Sequence, residues 1–248
     1  MPTSVRLRDK LRFFWRAWRY RFRLDPAEIS NLRQILSPGD VAIDVGTHKG
    51  AYSYWMAKAV GPTGQVYGFE PQKHLSQKLR HILLALKIKA IEIHQLGISS
   101  KPGTLQLFIP GMGTPSPEAT FETPERYEAG VYEKVKVATL DQILQDEKRP
   151  IRLIKCDVEG HELEVFKGGE EIIREHKPSL LFECEARHHP NGNIEKVFKY
   201  LQDLKYEGYF FLGRQRLPLS LFSKDFQQIG KKPYANNFLF QHKESGST

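Results

Sequence analysis

An α/β fold built on a parallel sheet is what this 248-residue sequence predicts, and three observations carry that expectation. Short apolar runs alternate with longer segments of helical periodicity from Asp40 onward, the order expected of βαβ units. A glycine-containing turn, Asp44-Val45-Gly46-Thr47-His48-Lys49-Gly50, stands where the first run gives way to a helix. Acids end several of the runs, at Glu70, Asp157 and Glu183, which is the edge where open α/β sheets bind ligands.

The elements follow in order. Leu7, Leu11, Phe14, Trp15, Trp18 and Phe22 recur at helical spacing beside Arg12, Arg16, Arg19 and Arg23, which predicts a basic amphipathic helix. Asp25-Pro26 starts a second helix over 27–36, and Ser37-Pro38-Gly39 stops it. Residues 1–38 are thus expected to form a helical extension and 39–248 the main domain. Strands are expected at 41–45, 65–70 and 91–98, separated by helices over 50–60 and 71–86. Lys101-Pro102-Gly103 turns the chain into a short strand at 105–109. Residues 110–130, with Gly111, Gly113, Pro115, Pro117 and Pro124, lack periodicity and read as a functional loop or lid. Next come a strand at 131–138, a short helix over 140–145 capped by Thr139, a buried strand at 151–157 and a helix over 161–176. A strand at 180–185, a helix over 194–204 and strands near 209–212 and 237–241 close the domain.

Composition narrows the function classes. A hydrophobic content of 40%, spread along the chain, excludes wholesale disorder. No apolar run approaches the roughly 18 to 20 residues that span a bilayer. The two cysteines, Cys156 and Cys184, supply neither a disulfide framework nor a four-ligand zinc site, and read as small buried thiols. Residues 1–24 hold eight cations against the single Asp9, so they contribute +7 of the net charge of +8. The body is nearly neutral, which argues against nucleic acid as a partner. No apolar signal core is visible, so a cytoplasmic location is expected.

In the Asp44–Gly50 segment, Gly46 and Gly50 permit a tight turn and a close backbone approach to a ligand at a helix start. The dinucleotide pattern G-x-G-x-x-G is absent, which weakens a pyrophosphate reading. Glu70, at the end of the next strand, is placed to accept both hydroxyls of a ribose. Together these features point to an adenosine-containing cofactor without a pyrophosphate, and S-adenosylmethionine fits.

From about Val41 to Phe240 the sequence resembles the class I S-adenosylmethionine-dependent methyltransferases, and more narrowly the FkbM family. The resemblance runs through Ile43–Gly50, Phe69-Glu70-Pro71, Leu140-Asp141, Asn237–Phe240 and above all the K-x-D-x-E-G-x-E block that begins at Lys155 and ends at Glu162. It implies a Rossmann-like, seven-stranded, mostly parallel sheet whose last strand is antiparallel, and O-methyl transfer to hydroxyls of sugars, glycans and related metabolites. It also implies that Asp44, Gly46 and Gly50 hold the cofactor, with Asp44 orienting its amino group, that Glu70 binds the ribose, and that Gln95 to Ser99, including Gly97, flank the adenine. His48 and Lys49 depart from the commoner loop residues and either touch the cofactor carboxylate or face solvent.

An oxygen nucleophile must be aligned with the sulfonium methyl and lose its proton as it attacks. Asp157, Glu159 and His161, at the end of the fourth strand of the sheet, are the candidate catalytic residues. His161 is the natural base at neutral pH, although it and Glu159 could instead orient the following helix. A divalent metal held by Asp157 and Glu183 with Glu185, His188 or His189 is the less favoured variant, since no spacing demands it. An RNA methyltransferase gripping phosphates with the basic arm, and a non-catalytic cofactor-binding module, are the competing functions. The arm itself suits either an anionic membrane surface, through residues 5–24, or packing on the domain or a second subunit. Oligomeric state is left open.

Overall fold

Alternation along the strands decides which helices cover which face. The computed structural model describes residues 5–111, 114–122 and 129–246. Strands β1 (Val41–Val45), β2 (Gln65–Phe69) and β3 (Ile91–His94) run parallel, with helices α3 (Ala51–Val60) and α4 (Lys73–Ala85) as their crossovers. The chain then leaves the main sheet. Strands β4 (Gly97–Ile98), β5 (Gly103–Pro110) and β6 (Gly130–Ala138) make a separate three-stranded sheet in the order β4-β6-β5. It returns through β7 (Ile151–Cys156), β8 (Ser179–Glu183), β9 (Tyr206–Leu212), β10 (Gln215–Pro218) and β11 (Asn237–His242). The main sheet has the order β10-β9-β11-β8-β7-β1-β2-β3.

Val41, Ile43 and Val45 face the same core as Ile154, Cys156, Leu180, Phe182, Phe238 and Phe240. Helices α5 (Leu140–Leu144), α6 (Glu162–Lys167), α7 (Glu170–His176) and α8 (Glu195–Asp203) cover that side. Ala42, Leu153, Leu181 and Leu239, one residue out of phase, face the opposite core with α3, α4 and two N-terminal helices, α1 (Leu7–Arg19) and α2 (Pro26–Ile35). Strand β11 is antiparallel to both its neighbours, β8 and β9, as expected of the closing strand.

Three expectations need correction. The main sheet has eight strands, not seven, because Gly213 turns the chain back and β10 pairs with β9 at the edge. Its polar, exposed Gln-Arg-Leu-Pro has no strand-like alternation to betray it. The single strand at 91–98 is broken, since Gly97 and Ile98 pair with β6 in the second sheet. The single helix over 161–176 is likewise split at Gly168-Gly169. A Cβ at Gly168 would lie 2.1 Å from the Ser99 carbonyl oxygen, so the chain bends where only glycine lets two backbones touch.

Helix α1 lies across α3 and α4. Phe13 and Ala17 are fully buried, and the Phe13 ring meets Tyr54 edge-on at 5.7 Å. Trp55 Nε1 donates a 2.7 Å hydrogen bond to the Ala17 carbonyl, Lys10 Nζ donates to the Ala85 carbonyl, and Asp9 pairs with Lys78. A short π-helical turn, Tyr20–Leu24, follows α1 and ends at Asp25. The expected aromatic stripe divides: Phe14 turns toward Tyr54, while Leu7, Leu11, Trp15, Trp18 and Phe22 face outward. Among the described residues, no helix is long and apolar enough to cross a membrane.

Truncating Phe13 leaves a cavity against Tyr54 and Gly50, whereas Trp15 is 61% exposed. Phe13→Ala is expected to destabilise the protein by about 3 kcal/mol, and Trp15→Ala by less than about 0.5 kcal/mol. Urea denaturation of the two variants checks the contrast.

Candidate active site

The carboxyl ends of β1, β2, β7 and β8 open into one cleft, about 280 Å³ in volume, roofed by residues of α1 and of the segment after β5. Its floor depends on Gly46. With φ +80, a Cβ at this position would fall 1.9 Å from the Asp157 carbonyl oxygen, so no other residue lets β1 and β7 end side by side. The Asp157 amide donates to the Val45 carbonyl at 3.0 Å and ties the two ends together. Gly50 has a different task. It does not line the cleft; its left-handed φ of +76 turns the chain into α3, and the Leu79 side chain and the Phe13 ring pack against it.

One end of the cleft holds polar atoms with no protein partner. Asp44 Oδ1, Thr47 Oγ1 and His48 Nε2 are buried and unsatisfied, and all three residues line the cleft. The other Asp44 oxygen accepts a short hydrogen bond from Ser53. Burial raises the Asp44 carboxyl, against the pull of Lys155 and Ser53. Burial, reinforced by Lys49 and Arg16, lowers His48 to about 4, so its imidazole is neutral. Glu70 accepts one backbone hydrogen bond at each oxygen, from His48 and Gln72, both at 2.9 Å. Burial outweighs these amides and lifts Glu70 to about 7.

Beyond Glu70 the lining turns apolar, with Phe69, Leu96, Ile98, Leu107 and Phe121 around Gly97. Gly97 therefore lies at the cleft as expected, but Gln95 does not: its side chain is exposed, and Leu96 takes the inward position. The break between β3 and β4 sets that orientation. The irregular segment also has a place. Ser116 exchanges two hydrogen bonds with the Gln72 amide, Thr120 Oγ1 donates to the Glu159 carbonyl at 2.8 Å, and Pro117 to Ala119 cover the cleft. Gly113 and Pro124, cited for the lid, lie outside the described residues.

The other end is charged. Lys155 Nζ pairs with Asp157 Oδ2 at 2.8 Å and lies 4.9 Å above the Tyr52 ring. Burial alone would lower Lys155, but Asp157, Asp44 and Glu183 lift it above its ordinary value. Carboxylate oxygens of Asp157, Glu159 and Glu183 lie within 4.8 Å of one another. Burial, then Asp157 and Glu185, raises Glu183 well above the usual carboxylate range. Glu159 adopts a left-handed φ of 55, a costly conformation for a non-glycine residue, and pairs with His188 Nδ1 at 2.8 Å.

The structure brings Asp157 and Glu159 to the cleft but turns His161 away from it. His161 Nδ1 lies 2.7 Å from Glu122, Nε2 lies 3.0 Å from Ser99, and the residue does not line the cleft. Both ring nitrogens are occupied, so His161 has none free to take a proton from a substrate. Of the other metal-ligand candidates, only Glu183 joins Asp157. Glu185 is engaged by Arg187 and Tyr234, and His189 sits outside the cleft lining between Cys184 and Glu162. Burial raises both cysteine thiols.

Arg16, Tyr20, Tyr52 and Lys155 were not singled out by sequence reasoning as site residues, yet all line the cleft. Burial and the charge of Asp157 raise the Tyr20 hydroxyl. The lysine was in plain view, two residues before Asp157. Arg16 and Tyr20 left no comparable signal, because they reach the site from a helix that precedes the sheet.

The sequence and the fold are similar to those of known proteins. Residues 44–209 match the family described as the methyltransferase FkbM domain. The chain belongs to the FkbM-domain methyltransferases. The curated methyltransferase sdnD of Sordaria araneosa is 30% identical over 156 residues, and the match spans 52% of this chain and 60% of sdnD. A crystal structure of an FkbM methyltransferase from Methylobacillus flagellatus superposes with a TM-score of 0.53 at 15% identity, covering 96% of this chain and 56% of that one. TomG, an O-methyltransferase of Streptomyces achromogenes solved with S-adenosylmethionine, has a TM-score of 0.48 at 13% identity and covers 92% of this chain and 87% of its own.

The residues present fit the cofactor of this family. The unsatisfied Asp44 oxygen suits an ammonium group, Glu70 retains lone pairs for ribose hydroxyls, and the apolar lining around Leu96 and Gly97 suits a flat base. Arg16 and Lys49, on the same side as the glycine turn, supply cations for a carboxylate.

Only ionised Glu70 accepts from both ribose hydroxyls. Since the group titrates near 7 in the free protein, affinity for S-adenosylhomocysteine should be level above about pH 7 and weaken as pH falls below it. Calorimetry between pH 5.5 and 7.5 tests this, with Glu70→Gln weakening binding and flattening the profile.

Proposed function

We propose that the protein transfers a methyl group from S-adenosylmethionine to a hydroxyl oxygen of a sugar, glycan or related polyhydroxy metabolite. The observation that supports this best is the convergence of Asp157, Glu159 and Glu183 within 4.8 Å at the end of the cleft next to Gly46. Carboxylates accept hydrogen bonds, and a polyhydroxy acceptor donates several at once. The cofactor supplies an electrophilic methyl on a sulfonium. Asp157 takes the proton of the attacking hydroxyl as the new bond forms, with Lys155 holding its carboxylate in place. Glu159 and Glu183 bind neighbouring hydroxyls and fix the acceptor's orientation.

In this reading His161 is a positioning residue. It joins Glu122, in the segment that covers the cleft, to Ser99 at the edge of the second sheet. The near-neutral body and carboxylate-lined acceptor end disfavour an RNA substrate, which presents phosphates to the enzyme. A non-catalytic module would have no use for three convergent acids beside the cofactor turn.

A second reading rests on the same carboxylates, which are close enough to share a divalent cation against the acceptor oxygen. Lys155 already neutralises part of this charge, so the metal-free reading is preferred. Asp157→Asn is expected to lower kcat by a factor of about 10² to 10⁴ with little change in affinity for S-adenosylhomocysteine. Steady-state kinetics on a panel of glycosides and polyols checks this, and turnover should survive EDTA. Tight cofactor binding with no turnover on any acceptor would defeat the proposal, and EDTA inactivation reversed by magnesium would favour the metal.

A further inference from the structure

Helix α1 has three faces, and only two are explained by the fold and the cleft. Going round the helix from the buried side, Phe13, Ala17 and Lys10 pack on α3 and α4, followed by Phe14 against Tyr54. Next come Leu7, Trp18, Leu11 and Trp15, which form a continuous apolar strip between 48% and 71% exposed. Phe22 extends the strip, with its ring stacked on Trp18 at 5.3 Å. Arg8, Arg19 and Arg12 follow, all exposed, and then Arg16, which returns to the cleft. An amphipathic helix normally hides its apolar face, yet this one is docked by a different face and leaves the larger aromatics uncovered.

We propose that α1 docks the protein on the surface of an anionic phospholipid bilayer, with Leu7, Leu11, Trp15, Trp18 and Phe22 inserted at the headgroup level. Two features select this occupant over a second protein. The strip is edged by arginines, with Arg19 stacked over Trp15 at 5.4 Å and Arg21 over Phe22 at 5.5 Å, so the surface asks for an apolar layer beneath a dense negative charge. Tryptophan beside arginine is also the pairing suited to the boundary between hydrocarbon and water. The charge is local: residues 1–24 carry +7 of the chain's +8, so the attraction orients the molecule with this helix toward the anionic surface. The arc that bears Arg12 continues directly into Arg16 and Tyr20 at the cleft wall, so the lipid-facing strip and the cleft lie on neighbouring faces of one helix.

The docking does not depend on the chemistry in the cleft, and its test is separate. Full-length protein is sedimented with vesicles of phosphatidylcholine alone or with a quarter phosphatidylglycerol. Binding should be at least about ten-fold tighter to the anionic vesicles and weaken in high salt. Replacing Arg8, Arg12 and Arg19 by Gln should reduce it about 100-fold, and Leu11→Ser with Trp15→Ser at least about ten-fold. Affinity for S-adenosylhomocysteine should be retained in both variants, showing that the fold and cofactor site are intact. Absence of vesicle binding, or binding that survives both sets of substitutions, overturns the proposal. So does a dimer in light scattering that only the Leu11/Trp15 variant dissociates, or RNA binding lost with the arginines while vesicles are ignored.

Discussion

A buried ammonium organises the site. Lys155 is enclosed among Asp44, Asp157 and Glu183 and rests on the Tyr52 ring, so every carboxylate around it is placed relative to one positive charge. Removing the lysine would leave acids from three adjacent strands repelling one another in a desolvated pocket. With it present, β1, β7 and β8 can all end in acids at one edge. The close approach of Gly46 to the Asp157 carbonyl serves the same end from the backbone side, since it brings the ends of β1 and β7 into contact where the glycine turn begins.

The N-terminal helix belongs to this arrangement as much as the sheet does. Phe13 fits against Gly50, the Ala17 carbonyl receives the Trp55 ring N–H, and the last turn of the helix brings Arg16 and Tyr20 to the cleft. A π-helical turn then ends the extension at Asp25. Tyr52 connects the same region to the sheet by donating to Asp25 at 2.9 Å while its ring supports Lys155. The helical extension is thus a wall of the cleft on one side and an uncovered apolar strip on another.

Much of the site could be read from residues alone because it follows local rules. Asp44, Gly46 and Glu70 sit where a strand passes into a helix, and such junctions announce themselves by glycine, by an acid and by the change of period. Gly50 was legible as a required glycine, because its left-handed φ of +76 makes the turn that starts α3. Gln95 and His161 show where local reading stops. A one-residue difference in where β3 ends decides whether Gln95 or Leu96 turns inward, and strand-end orientation has no sequence signature. His161 has the right chemistry for a base, but its nitrogens are taken by Glu122 and Ser99, from segments 39 and 62 residues away.

The sequence by itself determined the succession of strands and helices, the glycine turn, the strand-end acids and the concentration of charge in the first helix, since each is a matter of period or of neighbours along the chain. Only the tertiary structure decided that Arg16, Tyr20 and Lys155 line the cleft with them, that β10 adds an edge to the sheet, and that the aromatic stripe divides between a buried and an exposed face. Those outcomes depend on which distant surfaces pack together, and packing selects side chains by shape and available space after the local pattern has set their order.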